Sequence, residues 1–84
     1  MRGRHYVTLC TIFEDLVKSN IHWQDIEAML IHVGAELSEG RGSRVRIALN
    51  GRRAVFHRPH PQKETDKGSV KSLRDFLIAA GVEP

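Results

Sequence analysis

The chain has 84 residues, of which 40% are hydrophobic and 27% are charged, and this is the size and composition of one small globular domain. No apolar run approaches the roughly 18 residues that cross a membrane, and the start, MRGRHYVTL, lacks the long apolar segment of a signal peptide. The single cysteine, Cys10, excludes an internal disulfide framework, so we expect a cytoplasmic protein.

The net charge of +3 conceals a strong separation of charge along the chain. Residues 41–74 hold ten basic and two acidic residues, a net charge of +8, whereas the remaining residues carry −5. Seven of those ten basic residues are arginines, whose forked guanidinium suits phosphate oxygens. The pattern therefore favours a polyanionic partner over a charged surface that is merely solvated.

The first predicted element is a helix that follows an arm formed by residues 1–7. Thr8 is a suitable N-cap, and the apolar residues after it recur at helical spacing. These are Leu9, Ile12, Phe13, Leu16 and Val17. Ser19 and Asn20 end the predicted helix.

A second helix is predicted from Trp23 to Val33, with Gly34 at its C′ position. Its apolar stripe contains Trp23, Ile26, Met29, Leu30 and Val33. Trp23 is an aromatic suited to recognition, but its place in the stripe favours the core. The short, mildly alternating segment from Ala35 to Ser38 is predicted to be a strand.

The centre of the chain, GSRVRIALNGRRAVFHRPH at residues 42–60, predicts a β-hairpin. Asn50-Gly51 suits a two-residue type I′ turn, which pairs strands 44–49 and 52–57 in a fixed register. One face of this hairpin is then apolar, with Val45, Ile47, Leu49, Ala54 and Phe56. The other face carries Arg44, Arg46, Arg53 and His57, with Ala48 and Val55 between them.

The last predicted helix covers residues 70–80. The prolines of Arg58-Pro59-His60-Pro61 end the preceding strand, and a polar loop runs from Gln62 to Gly68. Ser69 is the predicted N-cap and Gly81 the C′ residue. The inward stripe is Val70, Leu73, Phe76, Leu77 and Ala80, while Lys67, Lys71 and Arg74 share another face that extends the basic patch.

The order of these elements is α-α-β-β-β-α, and its last five members match the double-stranded-RNA-binding domain. We therefore predict an α+β fold, a dsRBD-like α-β-β-β-α two-layer sandwich with an additional N-terminal helix. Residues 1–22 form the arm and extra helix, and residues 23–84 form the dsRBD-like domain.

Residues 23–82, WQDIEAMLIHVGAELSEGRGSRVRIALNGRRAVFHRPHPQKETDKGSVKSLRDFLIAAGV, resemble the HicA family of type II toxin–antitoxin systems. The marks of the resemblance are Gly42-Ser43, the turn Asn50-Gly51-Arg52-Arg53, Pro59-His60, and Lys67-Gly68-Ser69 before a helix ending Ala80-Gly81-Val82. The resemblance implies a dsRBD-like bacterial mRNA interferase. It also implies a HicB antitoxin that occludes the active site.

The chain departs from the family pattern at its catalytic histidine, which follows Gly-Ser within a few residues. Here Gly42-Ser43 is followed by Arg44, and no histidine occurs between residues 33 and 56. Metal-independent RNA cleavage needs a base, an acid and cations that stabilise the phosphorane. The hairpin register suggests His57 as a substitute base, Arg44 as the stabilising cation and His60 as the acid. We expect no metal and no cofactor.

Three functions remain open on the sequence alone. The first is an active ribonuclease toxin that binds mRNA through basic residues and is neutralised by a HicB-like antitoxin. The second is a catalytically degenerate RNA-binding module, and the third is a small protein-interaction domain with a basic face. The RNA-binding residues expected for the first two are Arg44, Arg46, Arg53, Arg58, Lys67 and Lys71.

Overall fold

The computed structural model describes residues 3–84 and contains, within them, three helices and two antiparallel sheets. Its elements are α1 (Arg4–Ile12), β1 (Ile21–His22), α2 (Trp23–His32), β2 (Glu36–Glu39), β3 (Arg44–Leu49), β4 (Arg52–His57), β5 (Glu64–Thr65) and α3 (Lys67–Ala79). The predicted α+β, dsRBD-like arrangement with an added N-terminal helix is confirmed. None of the helices in this described part is long and apolar enough to cross a membrane.

The hairpin between β3 and β4 has the predicted turn and register. Asn50 and Gly51 both have positive φ, 50° and 81°, as a type I′ turn requires. The pairs run without interruption from Leu49–Arg52 to Arg44–His57. The Asn50 side-chain amide also donates a hydrogen bond of 2.9 Å to the Ala80 carbonyl, which ties the turn to the end of α3.

The three-stranded sheet, ordered β2-β3-β4, has its apolar face in the core. Most of the sheet and helix residues predicted to face the core are buried, among them Trp23, Leu30, Val45, Ile47, Leu49, Phe56, Leu73 and Leu77, while Ala54 and Val33 are partly buried. Trp23 is 5% exposed, so its place in the core is confirmed. The helices cover this one face, and the opposite face of the sheet, which carries the arginines, is open to solvent.

Glycines end α2 and α3 as predicted. Gly34 and Gly81 have φ of 102° and 79°, the left-handed conformation that a side chain would disfavour. Beyond Gly81, the Val82 N–H donates 2.9 Å to the Leu77 carbonyl, which is the hydrogen bond of a Schellman motif. The chain thus leaves each helix in a direction set by its glycine.

The first helix differs from its prediction at both ends. It begins at Arg4, so Thr8 is not its cap, and the Thr8 hydroxyl instead donates 3.0 Å to the Arg4 carbonyl inside the helix. A threonine can satisfy its hydroxyl in this way as well as at a cap, and spacing alone cannot separate the two cases. The predicted arm is therefore helical from Arg4 onward, while residues 1 and 2 lie outside the described residues.

The end of α1 is set by a contact from α3. The helix stops at Ile12, where the Arg74 guanidinium donates to the carbonyls of Ile12 at 2.8 Å and Glu14 at 2.6 Å. These bonds satisfy carbonyls that the end of a helix leaves without partners. Leu16 lies outside the helix and is 84% exposed, so its predicted place in the apolar stripe is wrong.

The third helix begins at Lys67, three residues before the predicted start, because Asp66 and not Ser69 is the N-cap. The Asp66 carboxylate accepts from the Ser69 backbone N–H at 3.1 Å and from its hydroxyl at 2.8 Å. A carboxylate at this position is also favoured by the helix dipole. These hydrogen bonds from Ser69 lower the pKa of Asp66 below its ordinary value.

A small second sheet was not predicted. It pairs β1 with β5 through Ile21–Thr65 and His22–Glu64, and it interrupts the loop expected from Gln62 to Gly68. Thr65 is 1% exposed. Strands of two residues are too short to show an alternating pattern, so the sequence does not indicate them.

Candidate nucleic-acid interface

The open face of the three-stranded sheet carries half of the predicted site residues. Because side chains alternate along a strand, every second residue of β3 and β4 points away from the helices. These outward residues are Arg44, Arg46, Ala48, Arg53, Val55 and His57. We call this surface the open face. It carries three guanidinium groups and one imidazole.

On the open face, the residues of β3 and β4 that face each other form non-hydrogen-bonded pairs, the kind in which the side chains are closer together. The Arg58 N–H donates 2.8 Å to the Ser43 carbonyl, so the next pair, Arg44–His57, is the non-hydrogen-bonded kind. In such pairs the Cα atoms are about 4.5 Å apart and the side chains are closer than in the alternative pairs. The predicted juxtaposition of Arg44 and His57 is therefore present in the register.

A shallow groove of about 430 Å³ runs across the open face. Ala48 and Val55 line it between Arg46 and Arg53, and β2 contributes Glu36 and Ser38. A smaller hollow of about 230 Å³ adjoins it and includes Arg44. An apolar surface between guanidinium groups can hold the flat side of a ribose or base while the arginines bind phosphate oxygens.

Two of these arginines are unengaged within residues 3–84. The side chains of Arg44 and Arg53 are exposed and make no hydrogen bond or ion pair with other described residues. Arg46 makes one hydrogen bond, 3.1 Å from its guanidinium to the Glu39 carbonyl, which leaves the rest of its fork for a ligand. All three are thus available to an anionic ligand.

His57 lies at the end of β4, between the open face and a second groove. This groove, of about 510 Å³, separates β4 from the start of α3 and is lined by His57, Ser69 and Ser72 among others. His60 lies beyond Pro59 and lines neither this groove nor the one on the open face. The structure therefore brings His57 to Arg44 but does not bring His60 to them.

Arg58 points to the other side of the sheet and is engaged in ion pairs there. Its Nε donates 2.7 Å to Glu27, and its two terminal nitrogens donate 2.6 and 2.9 Å to the two oxygens of Glu39. Glu27 accepts in addition from the Trp23 indole N–H. These hydrogen bonds raise the pKa of Arg58 and lower that of Glu39. Arg58 thus joins α2, β2 and the end of β4.

The lysines predicted for the basic patch lie behind the sheet. Lys67 and Lys71 are exposed on α3, which packs on the apolar face, so they do not share a surface with Arg44. Arg74, predicted to extend the patch, instead binds the carbonyls at the end of α1. Within the described residues there is also no group of three His, Cys, Asp or Glu side chains that could hold a metal ion.

Comparison with known protein families shows to which family the chain belongs. The model of the family described as HicA toxin of bacterial toxin–antitoxin matches residues 23–82, which is more than half of the chain. The chain belongs to the HicA toxin family. Comparisons with the curated proteins and with the solved structures give no match.

The HicA match begins at Trp23, so α1 lies outside it. Nevertheless Leu9 and Ile12 of α1 are fully buried in the same core as the matched residues. An ion pair of 3.1 Å joins Arg4 to Asp25, and the rings of His5 and His32 stack at 4.6 Å. The additional helix is therefore packed closely on this HicA domain, and a domain boundary at residue 22 remains a prediction.

This HicA chain has no histidine in the segment after Gly42-Ser43, where the family resemblance implies one. That departure is visible in the residues that follow Gly42-Ser43, and the position of His57 opposite Arg44 follows from the turn at Asn50-Gly51. Glu27 and Glu39, the partners of Arg58, were not predicted. The one indication in the sequence that Glu27 has a structural role is its spacing of four residues from Trp23, which makes the two neighbours on a helical face.

Proposed function

We propose that this HicA-family protein binds mRNA on the open face, cleaves it in the cytoplasm without a metal, and is neutralised by a HicB-like antitoxin. The observation that carries the proposal is the exposure of three arginines and one histidine on one surface of a HicA domain. Clustered arginines on one face are the expected footprint of a phosphate backbone.

In the proposed reaction, His57 removes the proton of a ribose 2′-OH, and the 2′-oxygen attacks the adjacent phosphorus. The bond from phosphorus to the 5′-oxygen breaks, giving a 2′,3′-cyclic phosphate and a 5′-hydroxyl. The leaving 5′-oxygen takes its proton from solvent water, because His60, the acid expected from the sequence, does not lie beside His57 and Arg44. Histidine suits the role of base because it exchanges protons readily near neutral pH.

Arg44 is proposed to stabilise the negative charge that develops on the phosphorane. Directly opposed residues of an antiparallel pair have Cβ atoms about 4.5–5.5 Å apart, so Arg44 and His57 can reach the same phosphodiester. Arg46 and Arg53 continue this surface along the groove and are proposed to bind flanking phosphates. Arg58 is omitted from this contact set because its guanidinium already binds two carboxylates.

The same geometry also suits RNA binding without cleavage. The observation that favours this second candidate is the lack of a histidine between residues 33 and 56, since the open face then holds a single histidine beside its arginines. A protein-interaction domain is a third candidate. It differs from the other two in that its RNA binding would be weak and would not follow the counterion-release relation.

The test is to express wild-type protein, His57→Ala and Arg53→Ala in cells and to follow growth and mRNA integrity. The proposal expects wild type to slow growth and fragment mRNA, His57→Ala to do neither while still binding RNA, and Arg53→Ala to show reduced toxicity. Wild-type protein that binds RNA in a salt-dependent way but leaves mRNA intact would establish the non-cleaving module instead.

A further inference from the structure

The outer edge of β4 has no strand beside it. The sheet order is β2-β3-β4, so β4 pairs only with β3. Because Arg53, Val55 and His57 occupy the non-hydrogen-bonded pairs with β3, their backbone N–H and C=O groups point outward at this edge. No backbone hydrogen bond from another described residue reaches these three groups.

Of the usual protections against pairing, the edge of β4 has charge, from Arg52 and Arg53. Natural edges are commonly charged, short, bulged, interrupted by proline or covered by another element. β4 has six residues in continuous register and contains no proline. Val55 at its middle is 57% exposed, so an apolar side chain marks the centre of the free edge.

Beside the edge there is room for another strand. The groove of about 510 Å³ between β4 and α3 is bordered by Asp66 and by four small residues, Ala54, Gly68, Ser69 and Ser72, among others. A strand added to a sheet lies about 4.8 Å from its neighbour, with alternate side chains on the two faces. Its inward side chains would enter this groove, and small ones fit there best.

The positive charge of β4 favours an acidic strand as its partner. β4 carries Arg52, Arg53 and His57 and has no acidic residue. A second copy pairing antiparallel about Val55 would place Arg53 opposite His57 of the other copy, so neither Arg53 would gain an acidic partner. The other free edge, that of β2, carries Glu36 and Glu39 and would repel an acidic strand.

We infer that the free edge of β4 accepts an extended acidic strand of the antitoxin, which thereby extends the sheet to four strands. The inference rests on the proposed neutralisation and names its mode of recognition. The strand has acidic residues opposite Arg53 and His57, an apolar residue opposite Val55, and small residues between them. In this position it lies alongside His57 and Arg53 and excludes RNA from that end of the open face.

The test uses the full chain and a synthetic peptide, acetyl-Ser-Glu-Ser-Val-Ser-Glu-Ser-amide, with a control in which Lys replaces both Glu. Amide hydrogen exchange is followed by NMR. The acidic peptide is expected to slow exchange at Arg53, Val55 and His57, whose N–H groups point outward. Ala54 and Phe56, already bonded to β3, should not change, and the Lys peptide should have no effect.

Two variants of Val55 separate strand pairing from simple charge attraction. Val55→Pro removes one outward N–H without removing a bond to β3, and Val55→Ile keeps that N–H in an apolar, β-favouring residue. Loss of one hydrogen bond predicts roughly three- to tenfold weaker peptide binding for Val55→Pro. Binding by Val55→Ile should equal that of wild type, and thermal melting of each variant confirms that it is folded.

The inference is overturned if folded Val55→Pro binds the acidic peptide as tightly as wild type, or if exchange slows elsewhere and not at the β4 edge. Slowed exchange at this edge that depends on protein concentration, without peptide, would show a second copy as the occupant and would equally overturn it. RNA cleavage by the peptide-free protein is measured separately, so failure of the proposed ribonuclease activity is distinguishable from failure of strand addition.

Discussion

Replacement of Arg58 by alanine tests whether this arginine holds the fold together or binds RNA. The side chains of Arg58 and Glu27 are only 29% and 23% exposed, and their atoms are 2.7 Å apart. Arg58→Ala leaves the Glu27 carboxylate in this partly buried position with the Trp23 indole as its remaining donor. A hydrogen bond to a charged group contributes about 1.5–3 kcal/mol, so we expect a loss of about 2 kcal/mol in the free energy of unfolding.

For a domain of this size, a loss of about 2 kcal/mol lowers Tm by roughly 8–16 °C. Circular dichroism melting of wild type and Arg58→Ala measures this shift. Glu39→Gln is a matched control, because the Glu39 side chain is 72% exposed and its pair with Arg58 should add little. At a temperature where Arg58→Ala is folded, its affinity for RNA should equal that of wild type.

The structural role of Arg58 is refuted if Arg58→Ala melts within about 2 °C of wild type, a change well below the expected loss. It is also refuted if Arg58→Ala loses as much RNA affinity as Arg53→Ala. Either result would mean that the guanidinium leaves Glu27 and Glu39 in solution and belongs to the RNA-binding surface.

Three further predictions concern the cap of α3, the hairpin turn and the open face. Asp66→Ala should destabilise the protein by about 1 kcal/mol in urea unfolding, whereas Asp66→Asn keeps an N-cap acceptor and should lose less; equal losses would contradict the cap. The pKa of Asp66 is lowered in the folded state, so the ionised carboxylate stabilises the protein above the ordinary carboxyl pKa. This stabilisation is lost as pH falls below about 4. The fall in Tm below that pH should therefore be smaller for Asp66→Asn than for wild type. Gly51→Ala, at φ 81°, should cost about 1 kcal/mol of stability, and no loss in thermal melting would refute the type I′ turn. Arg46→Ala should weaken binding to all RNA sequences alike and reduce the salt slope by about one, while Lys71→Ala, behind the sheet, should leave the slope unchanged. A slope that changes only in Lys71→Ala would place the RNA on α3.

The parts of the fold that could be predicted from the sequence depend on local chemistry. The turn at Asn50-Gly51 determines the register of β3 and β4, and through it the positions of Arg44 and His57. The glycines at residues 34 and 81 mark the ends of α2 and α3 in the same local way. The alternation of apolar and basic residues then assigns the two faces of the sheet.

The parts that could not be predicted depend on partners far away in the chain. Arg58 is separated from Glu27 by 31 positions and Arg74 from Ile12 by 62, so no spacing rule connects them. Both arginines were predicted to belong to the basic patch, since composition does not distinguish an arginine that binds a ligand from one that stabilises the fold. The start of α3 was missed for a different reason: Asp66 and Ser69 are both good caps, and each bonds the other.

Cleavage of RNA in the presence of EDTA tests the central claim most directly. Purified wild-type protein and His57→Ala are incubated with a 5′-labelled mRNA fragment, and the products are separated by size and tested for a 2′,3′-cyclic phosphate end. Wild type is predicted to cut the RNA and leave that end, and His57→Ala, folded and with RNA affinity retained, is predicted not to cut. Cleavage by His57→Ala at the wild-type rate, or intact RNA with both proteins, would contradict the account.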